Sequence, residues 1–329
     1  MRAFEHISAA SAEEALAELN AQRDGETRFI AGGTDLLTLM KADLVAPARL
    51  IDLKPLAQLR GIRRQPDGAT SIGALATLAD IERDAGIASA FPMLMQSIRD
   101  AATPQLRAMA TIGGNLLQQY RCWYYRDGLN CWLTGGDECY AQKGQNQYHA
   151  IFQKGPCVAA HPSDLAPALI ALDASVTIQS QAGERELSLE DLLAAPTTDR
   201  RVAHTLGQGE IITQINIPAP SPAARGVYLK AMDRQAWSFA LASVAAHLTL
   251  EGDTVRAARV VLGGVANTPW RAHEAEAALI GQSMTSELAV QAATLAVQGA
   301  TPLSLNGYKV RLARELTRRA ILQAAGREP

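Results

Sequence analysis

The amino-acid sequence predicts an α+β protein built from two successive domains. Through residues 1–217, short strand and helix patterns are interspersed and separated by glycine and proline. Residues 218–222 read Pro-Ala-Pro-Ser-Pro, a stiff segment that can continue neither a strand nor a helix. In residues 223–329 strand patterns come first and helix patterns follow, an order typical of an α+β domain. We therefore expect a large domain at 1–217, a linker at 218–222 and a smaller domain at 223–329.

The first domain begins with an amphipathic helix at 11–19. Ser11 is the expected N-cap, and Glu14 three residues later completes a capping box. Apolar spacing then predicts strands at 27–31, 50–53, 62–64, 70–72, 174–179 and 210–217, and helices at 36–41, 77–85, 91–102, 165–172 and 190–194.

The second domain is predicted to contain a small antiparallel sheet covered by helices. The strand patterns lie at 226–232, 242–250 and 257–262, and the helix patterns at 272–279, 285–300 and 309–325. The start of the last helix is basic, but its apolar residues keep helical spacing, which favours a solvated or subunit-facing helix over a polyanion site.

Composition narrows the class of function. The chain has 329 residues, 48% hydrophobic and 19% charged, so it can bury a large core. Its formal net charge of −2 excludes the strong electrostatic footprint of a nucleic-acid-binding protein. Residues 1–10 show no secretory signal pattern, which favours a cytoplasmic location.

Two glycine pairs mark turns that can hold a phosphate-bearing ligand. Gly32 and Gly33 lie between a strand and a helix, where freed backbone N–H groups and the helix N-terminus favour a pyrophosphate. An ordinary turn, with Thr34 or Asp35 as the helix N-cap, is the alternative. The second pair, Gly113 and Gly114, is followed by Asn115 and preceded by the hydroxyl of Thr111.

All four cysteines, Cys122, Cys131, Cys139 and Cys157, fall within residues 122–157, and half of the aromatic residues fall within residues 120–157. Four thiolates can hold one [4Fe–4S] cluster or one zinc ion. The gaps of 8, 7 and 17 residues lack the short Cys pair usual in zinc sites. Zinc, two disulfides and unligated thiols stay open as alternatives, and His149 or His161 could replace a thiolate.

Several motifs together resemble a known family. They are IAGGTDLLTLM at 30–40, TPQLRAMATIGGNL at 103–116, HPSDLAPALIAL at 161–172 and LGGVANTPWR at 262–271. They resemble the FAD-binding medium subunits of the xanthine dehydrogenase family of molybdenum hydroxylases. The cysteine-rich stretch resembles the extra [4Fe–4S] loop of members of the aldehyde oxidoreductase type and of 4-hydroxybenzoyl-CoA reductase β-subunits.

The resemblance implies a fold and a set of cofactor-binding residues. The fold would be a two-lobed, PCMH-like FAD-binding domain with a [4Fe–4S]-binding insertion at about 117–160, followed by a domain of the CO dehydrogenase flavoprotein C-terminal type. The residues that would bind FAD are Ile30, Ala31, Gly32, Gly33, Thr34, Asp35 and Leu36 at the pyrophosphate, and Thr103, Thr111, Gly113, Gly114, Asn115, Asp164 and Lys230 on the flavin side. Cys122, Cys131, Cys139 and Cys157 would hold the cluster.

The implied function is electron transfer, with no catalytic residue in this chain. Electrons would come from a molybdopterin in a large subunit and [2Fe–2S] centres in a small subunit, and would leave FAD for an external acceptor. A complex of this kind would oxidise aldehydes or N-heterocycles, in the cytoplasm or, if exported with a signal-bearing partner, in the periplasm. An aryl-CoA reductase β-subunit, a stand-alone flavin oxidoreductase and a zinc-stapled adaptor are the alternatives.

Overall fold

The computed structural model describes residues 1–21, 23–153, 155–235 and 237–329 and has α+β architecture. The strands are β1 Glu5–Ser8, β2 Thr27–Ile30, β3 Arg49–Asp52, β4 Ile62–Arg64, β5 Thr70–Gly73, β6 Ser175–Ser180, β7 Gly183–Ser188, β8 Glu210–Ile217, β9 Ala224–Ala231, β10 Ala242–Glu251, β11 Thr254–Gly263 and β12 Trp270–Arg271. The helices are α1 Ala12–Asn20, α2 Leu36–Lys41, α3 Leu78–Arg83, α4 Ala85–Ala90, α5 Pro92–Arg99, α6 Pro104–Arg107, α7 Ile112–Leu116, α8 Trp123–Arg126, α9 Leu165–Ala171, α10 Leu189–Leu192, α11 His273–Leu279, α12 Ser286–Ala296 and α13 Tyr308–Ala324.

The N-terminal strands form a small parallel sheet in the order β1-β3-β2. Helix α1 packs beside it and is capped as expected, because the Ser11 hydroxyl accepts a hydrogen bond from the Glu14 N–H at 3.1 Å. The Glu14 carboxylate accepts from the N–H of Ala10 at 2.7 Å, one residue earlier than a capping box requires. Strand β2 ends at Ile30 and leads directly into the first glycine pair.

A second, five-stranded antiparallel sheet has the order β4-β5-β8-β6-β7. Apolar side chains of this sheet and of α3, α4, α5, α7 and α9 together form one hydrophobic core. The edge strand β7 has the polar sequence GERELS and is largely exposed, so apolar periodicity did not indicate it. The helix predicted at 77–85 ends at Arg83, and a separate helix, α4, follows it because the Asp84 carboxylate accepts from the N–H of Ile87 at 2.9 Å.

The C-terminal part is a four-stranded antiparallel sheet in the order β12-β11-β10-β9, with α11, α12 and α13 packed against it. Helix α12 ends at Ala296, before the predicted end at residue 300. The two parts of the chain share a core, since the side chain of Tyr228 on β9 is buried among α5, α9 and the five-stranded sheet. Within the described ranges, no helix combines the length and apolarity needed to cross a bilayer.

Candidate cofactor cleft and cysteine pocket

A cleft of about 540 Å³ lies where the first part of the chain meets the C-terminal sheet. Its walls come from the loop before α2, from α7, from residues 118–123 and 159–164, and from the loop between β9 and β10. Thr34, Asn115 and Asp164, three of the residues predicted to bind FAD, line it. Cofactor sites commonly have volumes of about 300–1,000 Å³, so the cleft is large enough for a substantial part of a dinucleotide.

The first glycine turn brings the chain very close to a neighbouring loop. A Cβ atom on Gly32 would stand 1.8 Å from the carbonyl oxygen of Met109, so only glycine fits there. Gly33 has φ +71°, a left-handed conformation that glycine adopts without strain. Of the predicted turn residues at 30–36, all within the described ranges, Thr34 alone lines the cleft.

Asp35 connects this turn to the cysteine-containing segment. Its carboxylate accepts a hydrogen bond from the Gln119 N–H at 2.7 Å. It also forms ion pairs with Arg121 at 3.0 Å and with Arg126 at 2.8 Å. A carboxylate that faced a phosphate would repel it. The Asp35 carboxylate is instead bound by Gln119, Arg121 and Arg126.

The second glycine pair is part of a short helix, α7, and not an open turn. The Thr111 hydroxyl caps this helix by accepting from the Gly114 N–H at 3.2 Å, and the Gly113 N–H donates to a backbone carbonyl. Asn115 lines the cleft, and its side-chain oxygen accepts from the Ser163 hydroxyl at 2.6 Å. The pair thus lets α7 pack closely and presents Asn115. Thr103, also predicted, caps α6.

A buried ion pair supports the floor of the cleft. The Lys230 ammonium donates to the Asp164 carboxylate at 2.9 Å and to the Asp100 carbonyl at 2.8 Å. The Tyr228 hydroxyl donates to the other Asp164 oxygen at 3.0 Å. Burial raises the pKa of Asp164, and the charge of Lys230 acts against that rise. Lys230 is therefore a fully buried partner of a cleft residue and not an exposed strand lysine.

Three nitrogen atoms in cleft-lining residues have no hydrogen-bond partner among the described residues: Arg121 Nε, His149 Nδ1 and His161 Nε2. Burial lowers the pKa of His161 to about 3, so its ring is neutral at ordinary pH. Its Nδ1 accepts from the Ser163 N–H at 3.4 Å, which leaves the proton on Nε2. Buried polar atoms without partners are costly, and a polar ligand in the cleft would satisfy them. Sequence reasoning missed Arg121, although its place just before Cys122 is a usable signal.

The four cysteines lie around one small pocket. Its remaining walls are Tyr124, Tyr125, Trp132, Leu133, Tyr140 and Ala141. All four are free thiols, so the disulfide alternative is not found. Within the described part of the chain, no three His, Cys, Asp or Glu side chains have an arrangement that would hold a metal ion. Burial raises the pKa of Cys122 to about 11, while a hydrogen bond from Cys157 lowers the pKa of Cys139.

The cysteine pocket and the cleft share a wall. Cys122 lines both, and Trp123 and His149 line the cleft beside it. The His149 Nε2 atom is 3.2 Å from the Cys122 sulfur, and its ring packs edge-on against Trp123 with centroids 5.1 Å apart. The cysteine pocket is therefore directly adjacent to the cleft.

Comparison with known proteins agrees with this architecture. Residues 2–220 match the family described as the FAD binding domain in molybdopterin dehydrogenase, and residues 227–324 match the CO dehydrogenase flavoprotein C-terminal domain. The chain is 38% identical over 268 residues, 80% of this chain and 82% of the relative, to the aldehyde oxidoreductase FAD-binding subunit PaoB of Escherichia coli (strain K12). It is 28% identical to the glyceraldehyde dehydrogenase medium chain of Sulfolobus acidocaldarius, with 98% of both chains covered.

Among solved structures, quinoline 2-oxidoreductase from Pseudomonas putida 86 superimposes with a TM-score of 0.78 at 26% identity, covering 99% of this chain and 98% of the other. The fold and the cleft thus define a flavin-nucleotide-binding oxidoreductase subunit. The chain belongs to the FAD-binding medium subunits of the molybdenum hydroxylase family, which includes CO dehydrogenase and aldehyde oxidoreductase.

Proposed function

We propose that this chain is the FAD- and [4Fe–4S]-containing electron-transfer subunit of a heteromeric molybdenum hydroxylase. A large molybdopterin subunit and a small [2Fe–2S] subunit would be its partners, and an external acceptor would take the electrons. Aldehydes or N-heterocycles would be the substrates, because relatives are named for aldehyde, glyceraldehyde and quinoline oxidation. FAD would pass on the electrons, and the chain supplies binding and orientation.

The residues around the cleft fit FAD. Three partnerless nitrogens, on Arg121, His149 and His161, offer hydrogen bonds to a polar ligand. Thr34, at the end of the first glycine turn, would hold the pyrophosphate, and Asn115 and Asp164 would hold the flavin side. The predicted roles of the remaining turn residues, of Thr103 and of Lys230 stay predictions; for Lys230 we propose support of Asp164 in place of direct cofactor contact.

The shared wall at Cys122 is the observation that carries the cluster proposal, because it would place an iron–sulfur centre directly beside the flavin. The four thiols surround one small pocket, and their sequence spacing lacks the short Cys pair usual in zinc sites. These two features support the cluster proposal over zinc.

The test is anaerobic purification followed by metal, sulfide and flavin analysis. The proposal expects a flavin absorption band at about 450 nm with a broad iron–sulfur shoulder, and iron and acid-labile sulfide in equal amounts. Zinc in place of iron would support the alternative of a zinc-stapled adaptor. Purification of the tagged chain from its own cells should also recover two further subunits, one containing molybdenum, and recovery of the chain alone would contradict the heteromeric part.

A further inference from the structure

His149 occupies the wall between the cysteine pocket and the cleft. Its Nε2 atom is 3.2 Å from the sulfur of Cys122. The residue is 3% exposed, so water does not compete for this contact. A thiolate sulfur can only accept a hydrogen bond, and a neutral imidazole has one N–H to donate. If Cys122 is a metal-bound thiolate, the proton of His149 must therefore be on Nε2, directed at the sulfur.

The position of His149 is imposed by the C-terminal part of the chain. Its carbonyl oxygen accepts from the Lys309 ammonium at 2.9 Å and from the Asn306 side-chain amide at 3.2 Å. Both of these donors are completely buried. Its N–H donates to the Asn146 carbonyl at 3.0 Å, and Trp123 packs edge-on against its ring. The backbone and the ring of His149 are thus held by separate contacts, and together these contacts fix the orientation of the ring.

We propose that His149 tunes the metal centre bound by the four cysteines, by donating a hydrogen bond from Nε2 to the Cys122 sulfur and so raising the centre's reduction potential. This inference rests on the proposed [4Fe–4S] centre. Reduction adds negative charge, part of which resides on the ligand sulfurs. A hydrogen bond to such a sulfur therefore stabilises the reduced state more than the oxidised state. The consequence is a centre that is easier to reduce.

The experiment is an EPR-monitored redox titration of the intact complex with His149→Leu and His149→Gln. Leucine removes the donor, so the midpoint potential should shift to a more negative value. Glutamine keeps an N–H and should restore part of the shift. His247→Gln is the matched control: His247 lies on β10, lines neither cavity, and should leave the potential unchanged. An iron-loaded His149→Leu complex with the wild-type potential overturns the inference.

A second measurement takes its main result from the wild-type complex, so that result does not depend on a variant folding. In wild-type complex labelled with ¹⁵N-histidine, pulsed EPR of the reduced centre should show a weak coupling to one histidine nitrogen, and this coupling should vanish in His149→Gln. Absence of the coupling, or a strong coupling that indicates direct ligation of iron, overturns the proposal. Wild-type protein without iron removes the proposed centre as well, whereas iron-loaded protein failing either test removes only the role of His149.

Discussion

Replacing Lys230 with methionine should destabilise the protein by far more than an ordinary surface substitution. Its ammonium is completely buried and donates to the Asp164 carboxylate at 2.9 Å. Burial already raises the pKa of Asp164, with the lysine charge opposing that rise. Methionine has a similar shape but no charge. The variant would therefore keep a buried carboxylate with only the Tyr228 hydroxyl as a side-chain donor.

Removing one partner of a buried ion pair typically costs about 3–5 kcal/mol, because the remaining charge loses its compensation. We expect a loss of that order in the free energy of unfolding for Lys230→Met. The double variant Asp164→Asn/Lys230→Met removes both charges and should be less destabilised than the sum of the two single variants. Lys54→Met is the matched control: the Lys54 ammonium is 2.8 Å from Asp52 but 40% exposed, so we expect about 1 kcal/mol or less.

The loss should also depend on pH. A carboxyl group whose folded-state pKa is raised contributes stability at low pH, and this contribution is lost as the pH rises through that pKa. Without Lys230 the pKa of Asp164 would rise further, so the deficit should be largest at about pH 8 and shrink towards pH 5. Urea unfolding of FAD-loaded protein, followed by tryptophan fluorescence, measures both effects. A pH-independent loss no larger than that of Lys54→Met would refute the reasoning.

Three further predictions concern other parts of the molecule. Gly32→Ala places a methyl group 1.8 Å from the Met109 carbonyl oxygen, so the substitution should displace the turn and lower FAD occupancy, measured as flavin absorbance per protein. Gly307→Ala is the control: the added methyl group meets open space, so FAD occupancy should be unchanged. Cys131→Ser should lower the iron content while FAD is largely retained, because Cys131 lines the cysteine pocket and not the described walls of the cleft; equal loss of both would make the loop a folding element for the flavin site. Burial lowers the pKa of Lys309 to about 7, well below the pKa of a lysine in the unfolded chain. Between about pH 7 and about pH 10 the unfolded state therefore binds more protons than the folded state, and the free energy of unfolding should rise with pH. Lys309→Met should remove that slope in urea unfolding, and an unchanged slope would assign it to other groups.

Local sequence patterns were reliable where an element's own residues supply its stabilisation. Helix α1 carries its cap in Ser11, and β8 runs over the predicted residues 210–217 because it is rich in β-branched isoleucine. Strands β1 and β7 were not predicted, since their sequences EHIS and GERELS are polar and they exist through pairing with a neighbouring strand.

For the candidate site too, some features could be predicted from local sequence and others depend on tertiary structure. The sequence alone determined which residue types are available: two glycine pairs, an HPSD segment and four cysteines in one stretch. These are local features, and they suffice to indicate a dinucleotide site beside a thiol-rich loop.

Only the tertiary structure decided which groups meet. Lys230 lies beside Asp164, 66 residues earlier, and Lys309 binds the carbonyl of His149, 160 residues earlier. These partners meet because a buried charge needs a hydrogen-bonding partner and because the packing of sheets and helices brings distant segments together. Those are properties of the packed chain, so no short stretch of sequence records them.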